Sequence, residues 1–378
     1  MINGIYFLGW RKPLLVSFLI GIFVLMGTFA CVTLQPNRLS PTSPIPATET
    51  EVPSTPTPTA LPPLSFQNFL DFSPRHTWDT TSEIKGISLS PDAKSVALLT
   101  SHGEESSWVE LRESQDGDLI WKSDLGSAAT YNAICFSADG KMVATGTIDS
   151  KIRIWNVENG ELIQTILHHK WPVRYVAFSP DGTMIGAGAS DSTARIWRVK
   201  DGMELGVYRI KTNARDIAFS PDSKYLAVTT NYVNVYHLPS RSDEPIVHYD
   251  NAGDTRDMGE VAFSPNGAFL IGAGTWHNNQ NNKWRYRILV WDFPFNKTDP
   301  IKIPIDDAIE DAVISPDGRV LVAVYKDKGK LLLIDIADRE VKGSINIGPK
   351  LYMSYSPDIT TFAVVSTKTT VTIWSILE

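Results

Sequence analysis

One short turn, written seven times, limits what this chain can fold into. Its serine stands at Ser90, Ser137, Ser179, Ser220, Ser264, Ser315 and Ser356, in steps of 47, 42, 41, 44, 51 and 41 residues. Each copy closes a short apolar segment: GISLSPD, AICFSAD, VAFSPDG, IAFSPDS, VAFSPNG, AVISPDG and MSYSPDI. The most regular copy is Val173 to Trp197. Val173 to Ser179 reads as a strand, Ser179-Pro180-Asp181-Gly182 as a turn, and Thr183 to Ala189 as a second strand. A further turn at Ser190-Asp191-Ser192 leads to a third strand ending at Ile196-Trp197. Pro180 presets φ for a tight turn, Ser179 can bond back to the backbone, and Gly182 takes positive φ without a Cβ clash. A period of about 40–45 residues with four short strands per unit is the signature of propeller blades. The fold expected is therefore all-β, a seven-bladed β-propeller over residues 65–378.

The remaining strands follow the same period. Third strands end at Ile154-Trp155, Ile196-Trp197, Val235-Tyr236, Val290-Trp291, Leu333-Ile334 and Ile373-Trp374. The first copy is the loosest, with Trp108-Val109-Glu110-Leu111. Fourth strands are expected near Glu161 to Leu167 and Glu340 to Ile347. The last copy has three strands before the sequence stops, and the region before Glu83 has one extra. Residues 70–78 are expected to pair with 371–377 and close the ring, which removes an exposed strand edge. Ala93, Ser223 and Ile359 stand where Gly182 stands, and a β-branched residue is strongly disfavoured at positive φ. The Ile359 turn is therefore expected to take another geometry.

These residues resemble the Trp-Asp repeat family over 65–378, on the SPDG turn followed about 18 residues later by Ile-Trp. Trp291-Asp292 alone supplies the namesake pair. In that family a His, an Asp and a Trp form a hydrogen-bonded set within a blade. The resemblance places His169, Asp191 and Trp197 in those roles, and likewise Asp149 and Trp155, with Ser127 at the histidine position. Ala187 occupies the place of the Ser or Thr that completes the set. The resemblance implies a structural role for these five residues and a protein partner for the whole.

The N-terminal segment reads as a targeting sequence. Arg11 and Lys12 precede the apolar run Leu14 to Met26, and small residues lead to Ala30 and Cys31. Three readings stay open: a lipoprotein signal with lipid on Cys31, an uncleaved anchor, and cleavage with free secretion. All three put the rest of the chain outside the cytoplasmic membrane, because the positive charges stay inside. The division expected is 1–31 signal or anchor, 32–64 linker and 65–378 propeller. The linker is Pro, Thr, Ser and Ala with little to bury, so it is expected to be disordered and extended.

Composition narrows function more than it identifies it. The net charge is −7, and Arg11 and Lys12 are the charged residues of the first 30, so nucleic acid is not an expected partner. Two cysteines in segments of different character, Cys31 and Cys135, give neither a disulfide nor a metal spacing. The sequence holds no GxSxG elbow, HExxH pair or phosphate-binding glycine loop. No cofactor, no metal and no catalysis are expected, and the propeller is expected to be monomeric.

Two features break the repeat on one face. The fifth copy carries about nine extra residues, measured against the usual spacing of about 18 from serine to Trp. They fall in Trp276 to Arg287, whose Trp276, Asn278, Asn279, Gln280, Trp284, Arg285 and Tyr286 suit a peptide or sugar ring. The position four before the turn serine holds Asp216, Glu260 and Asp311 in three successive copies, against Gly86, Ala133, Tyr175 and Tyr352 elsewhere. These acids are expected at one sector of the channel mouth, where a cation or basic peptide would bind. Asp306, Asp307 and Glu310 add charge, Arg215 and Arg256 offset it, and Tyr131, Trp171, Tyr175 and Tyr352 add aromatic area. The function expected is protein binding or scaffolding. The alternatives are a glycan-binding propeller and a propeller enzyme of lactonase or glycan-hydrolase type using the three channel acids.

Overall fold

The computed structural model describes residues 64–65, 68–102, 106–126, 129–238, 244–249, 255–278, 283–294, 300–325 and 329–376, with the backbone alone at 129–132, 249, 255–257, 275–278, 283–285 and 310. The segment 1–31 with Cys31, and the linker up to residue 63, lie outside the described residues. So do Ser127, Asn279 and Gln280.

The described residues form seven four-stranded antiparallel sheets. Six follow chain order, over 83–124, 129–167, 173–209, 216–249, 255–305 and 309–346, and are called blades 1 to 6. Blade 7 takes Tyr352–Tyr355, Thr361–Val365 and Thr370–Ser375 and completes itself with Ser73–Asp79. The first strands of most neighbouring blades pack on one another, which wraps the blades around a central channel. An apolar cluster fills the interface between adjacent blades, as where Ile196, Tyr208 and Ile210 of blade 3 meet Phe219, Leu226 and Tyr236 of blade 4. Close approach there requires glycine: a Cβ on Gly188 would stand 2.6 Å from that of Ala214.

The seven turns share one wiring. Each serine hydroxyl donates to the Asp or Asn two residues on, at 2.5–2.7 Å. It accepts the N–H five residues on, as from Met184 to Ser179 at 2.9 Å. The acidic side chain accepts the N–H two residues beyond itself, as from Thr183 to Asp181 at 3.0 Å. The residue three after each serine lies at positive φ in every copy, including Ala93 (58°), Ser223 (59°) and Ile359 (60°). The expectation of another geometry for Ile359 is therefore wrong. Its N–H donates to the Ser356 carbonyl at 2.9 Å, as Gly182 does to Ser179. Ile359 is fully buried among Phe69, Phe72 and Phe362, so apolar burial offsets the backbone strain.

Ser73–Asp79 runs antiparallel to Thr370–Ser375, from Ser73 opposite Ser375 to Asp79 opposite Thr370. The strand begins three residues later than Leu70, because Phe69–Asp71 forms a 3-10 turn. That turn lets Phe69 and Phe72 enter the core between blades 6 and 7 and leaves Leu70 exposed. The first blade also departs from expectation. Leu111 and Arg112 face Ala97 and Val96, as Ile154 and Trp155 face Ala144 and Val143. Arg112 thus occupies the usual tryptophan position, and Trp108 sits at the other end of the strand with Lys122 Nζ 4.0 Å from its ring centre.

Candidate functional site: the channel mouth and its surrounding hairpins

Asp216, Glu260 and Asp311 lie in the first strands of blades 4, 5 and 6, each four residues before its turn serine, and all three line one cavity of about 580 Å³ in the channel. Tyr175 and Tyr352, at the same place in blades 3 and 7, line it too, as does Tyr355. An equal distance of four residues from the turn serine puts the five residues at one level of the five innermost strands. Blades 1 and 2 have Gly86 and Ala133 there, so the polar sector spans part of the circumference. The cations on the cavity wall are Arg174 and Lys350. Arg215 lies next to Asp216 in sequence but is not among the lining residues, and the side chain of Arg256 is not described.

The three acids are not equivalent. Asp216 Oδ2 accepts the Val261 N–H of the next blade at 3.0 Å, and Oδ1 accepts the Ile217 N–H at 2.8 Å. Thr229 adds a second bond across the same seam, from Oγ1 to the Gly259 carbonyl at 2.9 Å. Asp216 therefore ties blade 4 to blade 5 as well as facing the channel. Burial raises its pKa to about 6, against the bonds from Val261, Glu260 and Ile217 that favour the carboxylate. Burial and the charges of Asp216 and Glu260 push the Tyr175 phenol up. Burial and the charges of Asp311, Asp216 and Glu260 do the same to Tyr355. Both phenols stay protonated at neutral pH and offer donors inside an acidic cavity.

Around the mouth, the connection into blade 3 carries Trp171, 62% exposed, and the hairpin of blade 2 carries Ile148, 50% exposed. The fifth-blade insertion extends the hairpin as paired strand. Phe269–Asn278 and Lys283–Asp292 are ten residues each and pair as far as Asn278 opposite Lys283. Trp276, Asn278, Trp284 and Arg285 lie on this extension, and Tyr286 follows opposite Thr275.

The residues assigned structural roles lie in and beside blades 2 and 3 and are not among those that line the cavity of the channel acids. His169 Nδ1 is 3.0 Å from Asp191 Oδ2, which also accepts the Lys170 N–H at 3.0 Å. The His169 ring meets the edge of Trp197 at 5.4 Å. In blade 2 the indole of Trp155 donates to Thr145 Oγ1 at 3.0 Å, and Asp149 pairs with Arg153 at 2.8 Å. Sequence reasoning missed Glu110. It is 1% exposed and takes Arg112 at 2.8 Å, Lys122 at 3.1 Å and the Thr100 hydroxyl at 2.9 Å. The signal was an acid inside the least regular third strand. The Cys135 thiol is pushed up to about 12 by burial, which leaves it inert as a nucleophile at neutral pH.

A ring of repeated sheets around a polar channel defines a β-propeller. Its repeats are similar to WD repeats: the model described as "WD domain, G-beta repeat" matches residues 160–198, and that described as "Anaphase-promoting complex subunit 4 WD40 domain" matches 90–172. Both matches fall within blades 1 to 3 and, with the seven-bladed architecture, support a WD-repeat propeller. Among curated proteins, the Periodic tryptophan protein 2 homolog of Dictyostelium discoideum is 28% identical over 104 residues, 25% of this chain and 11% of that protein. The general transcriptional corepressor TUP1 of Saccharomyces cerevisiae is 38% identical over 53 residues, 14% of this chain and 7% of that protein. The chain thus spans a small part of the relatives it matches.

Proposed function

We propose that this chain is a protein-binding module, held outside the cytoplasmic membrane by its N-terminal segment, that receives a basic peptide segment at the channel mouth. The observation that carries this reading is the gathering of Asp216, Glu260 and Asp311 with Tyr175, Tyr352 and Tyr355 in one cavity. A Lys or Arg side chain entering it meets carboxylates and phenol oxygens inside low-dielectric walls, where a charge pair is stronger than in water. The exposed Trp171 and Ile148 supply apolar anchors at the rim, and the extended fifth-blade hairpin supplies a wall. The propeller contributes rigidity and needs no cofactor for this role. The N-terminal reading rests on the basic, apolar and small-residue order up to Cys31.

The test uses Glu260→Gln with Asp311→Asn, which spares the seam bond of Asp216. In a panel of labelled peptides, Lys/Arg-rich members should bind the parent protein and lose about tenfold in affinity to the double variant at unchanged melting temperature. Equal affinity for both proteins, or preference for acidic peptides, overturns the reading. Trp276→Ala with Trp284→Ala should weaken the same peptides. A diacylglyceryl adduct at Cys31 in the intact mass of membrane-extracted protein is the expected form of the tether.

A further inference from the structure

We propose that the outer edge of blade 2 is a self-association surface, on which a second copy of this chain pairs strand to strand about a two-fold axis. Leu162–Leu167 is the outermost strand of blade 2 and, among the described residues, pairs with Lys151–Asn156 alone. An edge strand offers a row of backbone N–H and C=O groups to any strand that fits, and folded proteins blunt such edges with charge, proline or shortness. The outer strands of the other six blades obey this. Charge or proline interrupts five of them, as Lys122 does in blade 1, Pro304 in blade 5 and Lys342 in blade 6. The sixth, Val247–Tyr249, is three residues long. Leu162–Leu167 (LIQTIL) runs for six residues with neither charge nor proline.

The strand's own sequence selects the occupant. Gln164 and Ile166 face blade 3, the first at Val199 and Gly202, the second in an apolar cluster with Val173, Phe178 and Trp197. Strand alternation turns Ile163, Thr165 and Leu167 to the opposite face. All three are exposed, Ile163 to 51% and Leu167 to 55%. A two-fold axis normal to a sheet pairs an antiparallel strand with its own copy so that one residue faces itself. Centred on Thr165, that register sets the two threonines opposite each other and each Ile163 opposite the Leu167 of the other copy. Every pair on the exposed face is then matched, aliphatic on aliphatic and hydroxyl on hydroxyl, and both kinds are favourable cross-strand pairs. Blade 1 adds Leu119 and Ile120, both exposed, from its own outer strand. An edge without charge gives a charged foreign strand nothing to pair with, whereas a copy of itself matches it at each position of that face. One pair of short strands makes a small interface, so the dimer should dissociate on the order of 10 µM. The monomer expected from the sequence is then the dilute form.

The test is site-specific cross-linking of the full chain in mild detergent. Thr165→Cys faces its own copy in this register, so mild oxidation should give a dimer joined by a disulfide between the two introduced cysteines, identified by peptide mass. Glu161→Cys, exposed just before the same strand, would stand about 26 Å from its copy, eight residues along the pairing, and should stay unlinked. Light scattering at about 100 µM, tenfold above the expected dissociation constant, should give a mass near twice the chain for the parent and near one chain for Ile163→Lys. Ile163 is exposed, so the melting temperature of that variant in dilute solution should match the parent's. A monomeric parent at that concentration overturns the proposal, as does equal cross-linking of Thr165→Cys and Glu161→Cys. A dimer that survives Ile163→Lys places the contact elsewhere and overturns it too. If Thr165→Cys links instead to a different membrane protein while the parent stays monomeric, the edge takes a foreign strand and the second copy is wrong.

Discussion

Single residues decide how well each blade is braced, and blades 2, 3 and 7 form a natural comparison. Thr145, Ala187 and Val364 stand two positions after the residue that faces the third-strand tryptophan, opposite Arg153, Arg195 and Thr372. Where the position is threonine, the indole N–H has a partner. Where it is alanine or valine, Trp197 Nε1, His169 Nε2 and Trp374 Nε1 are buried without one. One missing hydroxyl thus strands two nitrogens in blade 3, a donor and a ring nitrogen that a single oxygen could serve. Ala187→Ser should stabilise the propeller by about 1 kcal/mol, the usual net worth of a satisfied buried hydrogen bond. Differential scanning calorimetry should register this as a melting temperature about 2 °C higher. A lower value would mean that the fully buried Ala187 site has no room for the oxygen.

At the scale of elements, the outer strands clamp each blade to the next. Trp121 donates its indole N–H to the Val157 carbonyl at 2.6 Å, and Trp78 donates to the Ser114 carbonyl at 3.2 Å. In blade 2 the Gln164 amide takes the same place: with its nitrogen assigned toward the Val199 carbonyl and its oxygen toward the Gly202 N–H, it meets both at 2.7 Å. The strand Ser73–Asp79 carries Trp78 and, just before it, Phe69 and Phe72, so it joins blade 6, blade 7 and blade 1 at once. Deleting residues 65–80 should expose the Thr370–Ser375 edge and uncover these aromatics. The expected outcome is a broad, multi-step melt and soluble aggregates by light scattering. A monomer with the parent's single sharp transition would show that this strand does not hold the ring. The repeat and the shared position of the channel acids were legible because both are periodic along the chain. The clamps were not, because they depend on how one blade leans on the next. Ile359 was misread for a related reason: its burial is supplied by Phe69 and Phe72, nearly 300 residues away in sequence.

The whole molecule sums these local choices into a pH profile. The turn acids Asp139, Asp181, Asp222 and Asp317 are held below the usual carboxylate range, although burial opposes it, by their serines and by backbone N–H groups. Asp149, at about 2, is held down against burial by Arg153 and Thr147, and Asp191 goes further down through His169 and Thr193. Glu110 is lowered by Arg112, Lys122 and Thr100 despite its burial. A lowered acid contributes stability above its unfolded pKa of about 4 and loses it as pH falls through the folded value. Asp216 has the opposite sign. With its folded pKa raised to about 6, its contribution is fully present below about pH 4 and is lost as pH rises through 6. Stability should therefore climb steeply from pH 2 to 4, pass a maximum between about 4 and 5, and decline modestly toward 7. Asp216→Asn keeps an acceptor for the Val261 N–H and removes the titration, so its curve should stay flat from pH 5 to 7 while the parent's falls. Melting temperatures of the two proteins across that range decide the matter. Parallel curves would mean that the charge on Asp216 is already neutralised in the channel, and that the cavity is less acidic than a basic guest requires.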